Sequence, residues 1–154
     1  MRVIDVARGP LIVVAPDAPL HRAAHLMDLH GVDAVAVTDD GRPVGIVTER
    51  DLVVRGLARR LPAEAPVESV MSRRPVTVEA ATGAADAYAL LRERTLHRLP
   101  VVAGDKLVAM VTLDDFAVDP PAELTRLVHA ARPERLTGAG AQGTAGPSSR
   151  SSTS

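Results

Sequence analysis

Residues 45–51 read Gly45-Ile46-Val47-Thr48-Glu49-Arg50-Asp51, and residues 109–115 read Ala109-Met110-Val111-Thr112-Leu113-Asp114-Asp115. Each stretch is an apolar run that ends in Thr, with Asp three residues further on. That pattern places a strand-to-helix junction at the Thr. The two stretches lie 64 positions apart, and a slide of 64 superposes the flanking sequence without a gap. Val3 meets Val67, Val6 meets Val70, Val14 meets Val78, Ala23 meets Ala87, Leu26 meets Leu90, Val37 meets Val101 and Val44 meets Val108. Val-on-Val pairs come cheaply in a Val-rich chain, but the order of elements repeats as well. Two copies at this spacing indicate a duplicated globular unit with pseudo-two-fold symmetry, not a solenoid.

The first copy opens with a turn at Val3–Ala7 and a strand at Leu11–Val14. Asp17 is placed to cap a helix over Ala18–His30, with Pro19 in its first turn and Gly31 just past its end. Leu20, Ala23, Ala24 and Met27 share one face of that helix. Strands at Ala34–Thr38 and Pro43–Thr48 flank the hairpin signal Asp39-Asp40-Gly41-Arg42. A second helix runs from Glu49 to about Leu57. The second copy repeats the order: a turn at Val67–Met71, a strand at Val76–Val78 and a helix over Ala81–Arg94. Hairpin strands follow at Leu99–Val102 and Leu107–Thr112, turned at Gly104-Asp105, and a last helix starts at Leu113 and stops before Pro120. The fold class is α+β, with one repeat over 2–57, a Pro- and Ala-rich linker over 58–66 and a second repeat over 67–118. Leu124, Leu127, Val128 and Ala131 predict a short amphipathic helix within 119–136. Residues 137–154 have nothing to bury and are expected to be disordered.

Composition removes several function classes. The chain has 154 residues, a net charge of −1 and no cysteine. Near-neutral charge gives no steering towards nucleic acid or an anionic membrane. Tyr88 and Phe116 are the only aromatics, so single-stranded nucleic acid finds no stacking platform and the core must be aliphatic. The apolar run at Leu11–Ala15 is far too short to span a membrane, and Asp5 and Arg8 break any signal-peptide layout. A cytoplasmic location follows as the default. No Ser-His-Asp order, Walker-type loop or histidine–carboxylate cluster points to catalysis, so the chain is not expected to be an enzyme. His21 and His25 are four apart on a helix near Asp28 and His30, but a third ligand on that face is missing, and a polar, solvated face is expected rather than a metal site.

The Thr-x-x-Asp device has two physical readings. In one it is a capping box: Thr bonds the first free helix amides and Asp reaches back to the amide of the cap. In the other, the free amides and positive dipole end of the helix attract an anion, Thr joins them against a phosphate or ribose oxygen, and Asp accepts the cis-diol of a ribose. The readings are compatible for Thr and compete for Asp.

Two repeats of this layout, with Gly-apolar-apolar-Thr-x-x-Asp closing the first hairpin and His97-Arg98-Leu99-Pro100-Val101-Val102 in the second, resemble a tandem CBS-domain module over about Arg2 to Val118. The resemblance implies two repeats packed sheet to sheet, two clefts related by the pseudo-dyad, and an adenosine-containing ligand (AMP, ADP, ATP or S-adenosylmethionine) in one or both. It implies ribose contacts from Asp51 and Asp115, and ribose or phosphate contacts from Thr48 and Thr112. His97 and Arg98 would reach phosphate, and a base pocket would form around Val13, Val35, Thr77 and Leu99. It also implies a homodimer and a regulatory role; a ligand-free dimerisation module of the same fold is the alternative. The sequence departs from the pattern in four places. Asp33-Ala34 replaces the His-Arg pair in the first copy, Ala36 replaces Pro100, Ala109 replaces the motif glycine in the second copy, and Asp114 adds a carboxylate that repels phosphate. The two clefts are therefore not expected to bind alike.

Overall fold

The computed structural model describes residues 1–118. The helix and tail expected over 119–154 lie outside the described residues. Two small sheets carry the chain, one per repeat. In the first, β1 (Val13–Val14) runs parallel to β2 (Ala34–Asp39), which forms a hairpin with β3 (Arg42–Thr48); β4 (Ser72–Arg73) adds to the far edge of β3. In the second, β5 (Val78–Glu79) runs parallel to β6 (Arg98–Ala103), which forms a hairpin with β7 (Lys106–Thr112). The registers match under the 64-residue slide: Val13 faces Ala36 as Val78 faces Val101 one step along, and Ala34–Thr48 corresponds to Arg98–Thr112. Helix α2 (Leu20–His30) buries Leu20, Ala23 and Met27, and α4 (Ala84–Glu93) buries Ala84, Ala87 and Leu91. Both helices thus turn one apolar stripe inward. Ala24, expected on that stripe, is exposed.

The repeats close each other's cores. Helix α1 (Val3–Val6) heads the first repeat, yet Val3 and Val6 pack in the second core with Leu91, Leu99, Val101, Val111 and Phe116. The single 3-10 turn at Val67–Ser69 heads the second repeat, yet Val67 and Val70 pack in the first core with Leu20, Ala23, Val35, Val37 and Val47. Backbone hydrogen bonds repeat the exchange at the same 64-residue offset. Val3 N–H donates to Thr82 O at 2.7 Å and Val67 N–H to Ala18 O at 2.8 Å; Ala84 N–H donates to Met1 O and Leu20 N–H to Ala65 O, both at 2.9 Å. Each fully buried valine contributes roughly 1.5–3 kcal/mol of burial, so removing either arm would strip its host core of two such side chains. Outside the core, the Asp5 carboxylate accepts from Arg2, which holds its pKa below the usual carboxylate range. A depressed folded pKa means that this link is present at neutral pH and lost on acidification.

Several local details differ from the sequence reading. Asp17 does not cap α2. It sits in the turn closed by Ala18 N–H on Ala15 O, and the first free amides of the helix, Leu20 and His21, are taken by the carbonyls of Ala65 and Ala63. Helix α4 likewise begins at Ala84, three residues later than expected, because Met1 O receives its first amide. The stretch read as a linker is therefore tied onto the start of α2. Strand β1 is reduced to Val13–Val14, and the strand expected at Val76–Val78 forms at Val78–Glu79. The helix after Thr48 has three α-helical residues, α3 (Glu49–Asp51), followed by a π-helical stretch over Leu52–Leu57. Gly56 lies buried in that stretch, where an added Cβ would come into van der Waals contact with Leu20 and Val70.

Strand β4 was not expected, and it explains the uneven glycine. A Cβ on Gly45 would overlap the Met71 sulfur and press on the Ser72 carbonyl. Met71 and β4 cover β3 at that point, whereas among the described residues no strand pairs with the outer edge of β7 at the equivalent Ala109. Glycine is required at position 45 because the fourth strand and Met71 lie against it.

Interlocked cores should melt as one. Val3→Ala and Val67→Ala should each lower stability by about 1.5–3 kcal/mol, with one cooperative urea transition of unchanged slope in both variants. Two resolved transitions, one per repeat, would contradict the exchange.

Candidate functional site

The hairpin strands of each repeat end at Thr48 and Thr112, and the following helices start beside one another. Between them opens a central cleft of about 600 Å³ lined by Asp33, Thr48, Glu49, Arg50, His97, Arg98, Thr112, Leu113 and Asp114. It lies across the pseudo-dyad, since Thr48, Glu49 and Arg50 correspond to Thr112, Leu113 and Asp114. A lateral cleft of about 300 Å³ adjoins it. Its walls are the entry to β1 (Gly9 to Ile12), the entry to β2 (Val32 to Ala34) and, from the second repeat, Met110, Thr112, Asp114 and Asp115. Asp33, Arg98, Thr112 and Asp114 border both spaces, so the two adjoin across these four residues. These volumes suit a small ligand.

The two Thr-x-x-Asp devices are used unequally. In the first repeat the capping box is complete: Thr48 N–H donates to Asp51 Oδ2 at 2.9 Å, and Asp51 N–H donates to Thr48 Oγ1 at 3.1 Å. Asp51 Oδ1 faces Arg55 Nε at 3.9 Å. Arg55 in turn donates to the carbonyls of Val70 and Met71, just after the exchanged turn. In the second repeat the carboxylate half is made, Thr112 N–H to Asp115 Oδ2 at 2.8 Å, and among the described residues Asp115 Oδ1 is uncommitted. Capping and ligation therefore do not exclude each other, because one carboxylate oxygen suffices for the cap.

Thr48, His97, Arg98 and Thr112 meet in the central cleft, and Thr112, Arg98 and Asp115 meet in the lateral one. Asp51 lines neither. The four residues expected around a base lie elsewhere. Val35 and Leu99 are fully buried, one in each core, and Val13 and Thr77 are exposed without lining either cleft. The reason is strand parity: side chains alternate between faces, and a reading one position off selects the opposite face. Ile12 and Ala34, immediate neighbours of Val13 and Val35, are the ones that line the lateral cleft. Arg98 reaches across the repeats to Asp33, Nη2 to Oδ1 at 2.7 Å; Arg98 is only 16% exposed and Asp33 68%. Among the described residues no group of three or more His, Cys, Asp or Glu is gathered for a metal, and no helix is long and apolar enough to cross a membrane.

A duplicated strand–helix–hairpin–helix unit with two junction devices facing one cleft matches a known family. The CBS domain family matches residues 3–57 and again 67–118. The chain is a tandem CBS-domain protein. It is 33% identical over 117 residues to the CBS domain-containing protein YhcV of Bacillus subtilis, covering 76% of this chain and 84% of that protein. Among solved structures, Hypoxic Response Protein I with two coordinated zinc ions superposes with a TM-score of 0.71 at 28% identity, covering 79% of this chain and all of that one. CBSX2 in complex with AMP superposes with a TM-score of 0.67 at 26% identity, covering 82% and 98%.

The unequal caps can be measured. Thr48→Ala should cost about 1 kcal/mol in denaturant unfolding, whereas Thr112→Ala should cost distinctly less, because the Thr112 hydroxyl carries no cap bond among the described residues. Equal losses would contradict the asymmetry.

Proposed function

We propose that this chain is a cytoplasmic regulatory module that binds an adenosine-containing nucleotide between its CBS domains and acts through that binding rather than by catalysis. The observation that carries this reading is the lateral cleft, where Asp115 offers a free carboxylate oxygen beside Thr112, opposite the apolar Ile12 and Ala34, with Arg98 at its inner end. An adenine would lie against the apolar wall, the ribose diol on Asp115, and the 5′ substituent towards Arg98 and the central cleft. The AMP complex of CBSX2 supports a ligand of this class. Asp51, tied to Thr48 and Arg55, acts as a helix cap, so the Asp115 side is the occupied one.

A ligand-free dimerisation module has an observation of its own. The complete cap at Thr48–Asp51 shows that the device can serve structure alone. Isothermal titration with AMP, ADP, ATP and S-adenosylmethionine decides between the two. Asp115→Asn keeps an oxygen for the Thr112 amide but weakens the charge-assisted ribose bond, so affinity should fall roughly 10- to 100-fold. Asp51→Asn should leave it nearly unchanged. Absence of heat with every ligand, in folded protein, would leave the ligand-free module.

Pairing into a homodimer is part of the same proposal. Val53, Val54 and Leu57 are exposed apolar side chains, Leu57 at 75%, beside a shallow apolar groove between α2 and the π-helical stretch. A second copy covering this face would remove it from water. Sedimentation should show a dimer, and Leu57→Asp should shift it towards monomer; an unchanged mass would place the contact elsewhere.

A further inference from the structure

We propose that the cleft selects against polyphosphate tails, so that adenosine carrying a single phosphate binds more tightly than its di- and triphosphate, with Asp33 and Asp114 as the specificity-determining residues. The inference rests on the nucleotide reading above. A ligand with its ribose on Asp115 would send its 5′ substituent towards Arg98, which together with Asp33, Thr112 and Asp114 lines both this space and the central cleft. Arg98 is not a vacant cation. Its guanidinium is held by Asp33 across the repeats at 2.7 Å, and its burial keeps it from turning out to solvent.

A first phosphate can take the place of Asp33, exchanging one anion on Arg98 for another. Asp33, being largely exposed, can swing into water at little cost. Further phosphates have no such exchange. Beyond Arg98 the cleft presents Glu49 and Asp114, so its three carboxylates face two guanidiniums, Arg98 and Arg50, with His97 as the remaining titratable group. Asp114, in the first turn of α5 (Leu113–Val118), borders both spaces and adds a negative charge where a lengthening tail would pass. A unit charge about 8 Å from a second in a half-solvated cleft changes binding by roughly three- to sixfold. Each phosphate after the first should therefore weaken binding about fivefold.

The test is a titration of the full chain with adenosine, AMP, ADP and ATP in excess EDTA at low salt, repeated on Asp114→Asn and Asp33→Asn. Thermal melts check that both variants fold. The expected order is AMP tighter than ADP and ADP tighter than ATP. Asp114→Asn should improve ATP most and flatten the series, and Asp33→Asn should improve every phosphorylated ligand while leaving adenosine unchanged. ATP binding as tightly as AMP in the unaltered protein would overturn the proposal while leaving nucleotide binding intact. So would a falling series that neither substitution flattens. Failure of all four ligands to bind would instead remove the nucleotide reading, and this inference with it.

Discussion

The reciprocal burial of Val3 and Val6 in the second core, and of Val67 and Val70 in the first, is the contact on which the rest of the molecule depends. A three- or four-stranded sheet with one long helix leaves part of its apolar face open, and here the missing piece is supplied by the other repeat. That exchange fixes how the sheets face each other, and so fixes the distance between Thr48 and Thr112 across the central cleft. At the far end the hairpin tips are tied as well. Arg42 Nε meets Asp105 Oδ2 at 2.9 Å, and Lys106 donates to the backbone oxygen of Asp40. These tip contacts are exposed and individually weak, so the buried valines carry the arrangement and the ion pairs trim it.

Pseudo-symmetry gives the two halves the same frame, and small substitutions give them different work. Where β4 and Met71 cover β3, position 45 must be glycine; at position 109, where no strand among the described residues covers β7, alanine stands. Where Arg55 stands behind Asp51, the carboxylate is held from both sides; among the described residues Asp115 has one oxygen uncommitted. Where the second repeat has Arg98, the first has Ala34, and the single guanidinium so produced reaches back to Asp33 on the opposite repeat. The same amino-acid pattern thus makes a complete capping box on one side and only its carboxylate half on the other.

The duplication, the order of strands and helices and the two junctions were legible in the sequence, because each rests on local chemistry: alternating apolar runs, a hairpin turn, a Thr before a helix. The exchange of Val3 and Val67 was not. Under the 64-residue slide both arms look like ordinary first elements of their own repeats, and nothing local says which core receives them. The caps of α2 and α4 were missed for the same reason, since backbone carbonyls of Ala65 and Met1, distant in sequence, replace the side chain of Asp17. Of the residues singled out by type and spacing, Thr48, Thr112, His97, Arg98 and Asp115 line one or both clefts. The four residues expected around a base line neither cleft, because a short Val-rich strand is apolar on both faces and its parity cannot be read until Val35 and Leu99 are seen buried. The ion pair of Arg98 with Asp33 joins residues 65 positions apart and carries no local signal.

The exchange also sets an order of events during synthesis. The partner of α1 is the second core, which is complete only after Phe116 has left the ribosome. At roughly 5–20 residues per second, Val3 and Val6 spend on the order of ten seconds as unburied apolar side chains on a growing chain. The first core waits less, since Val67 and Val70 follow its own strands closely. A nascent chain of this protein is therefore most exposed to mispairing at α1, and two chains translated side by side can trade their α1 segments before either second core is finished.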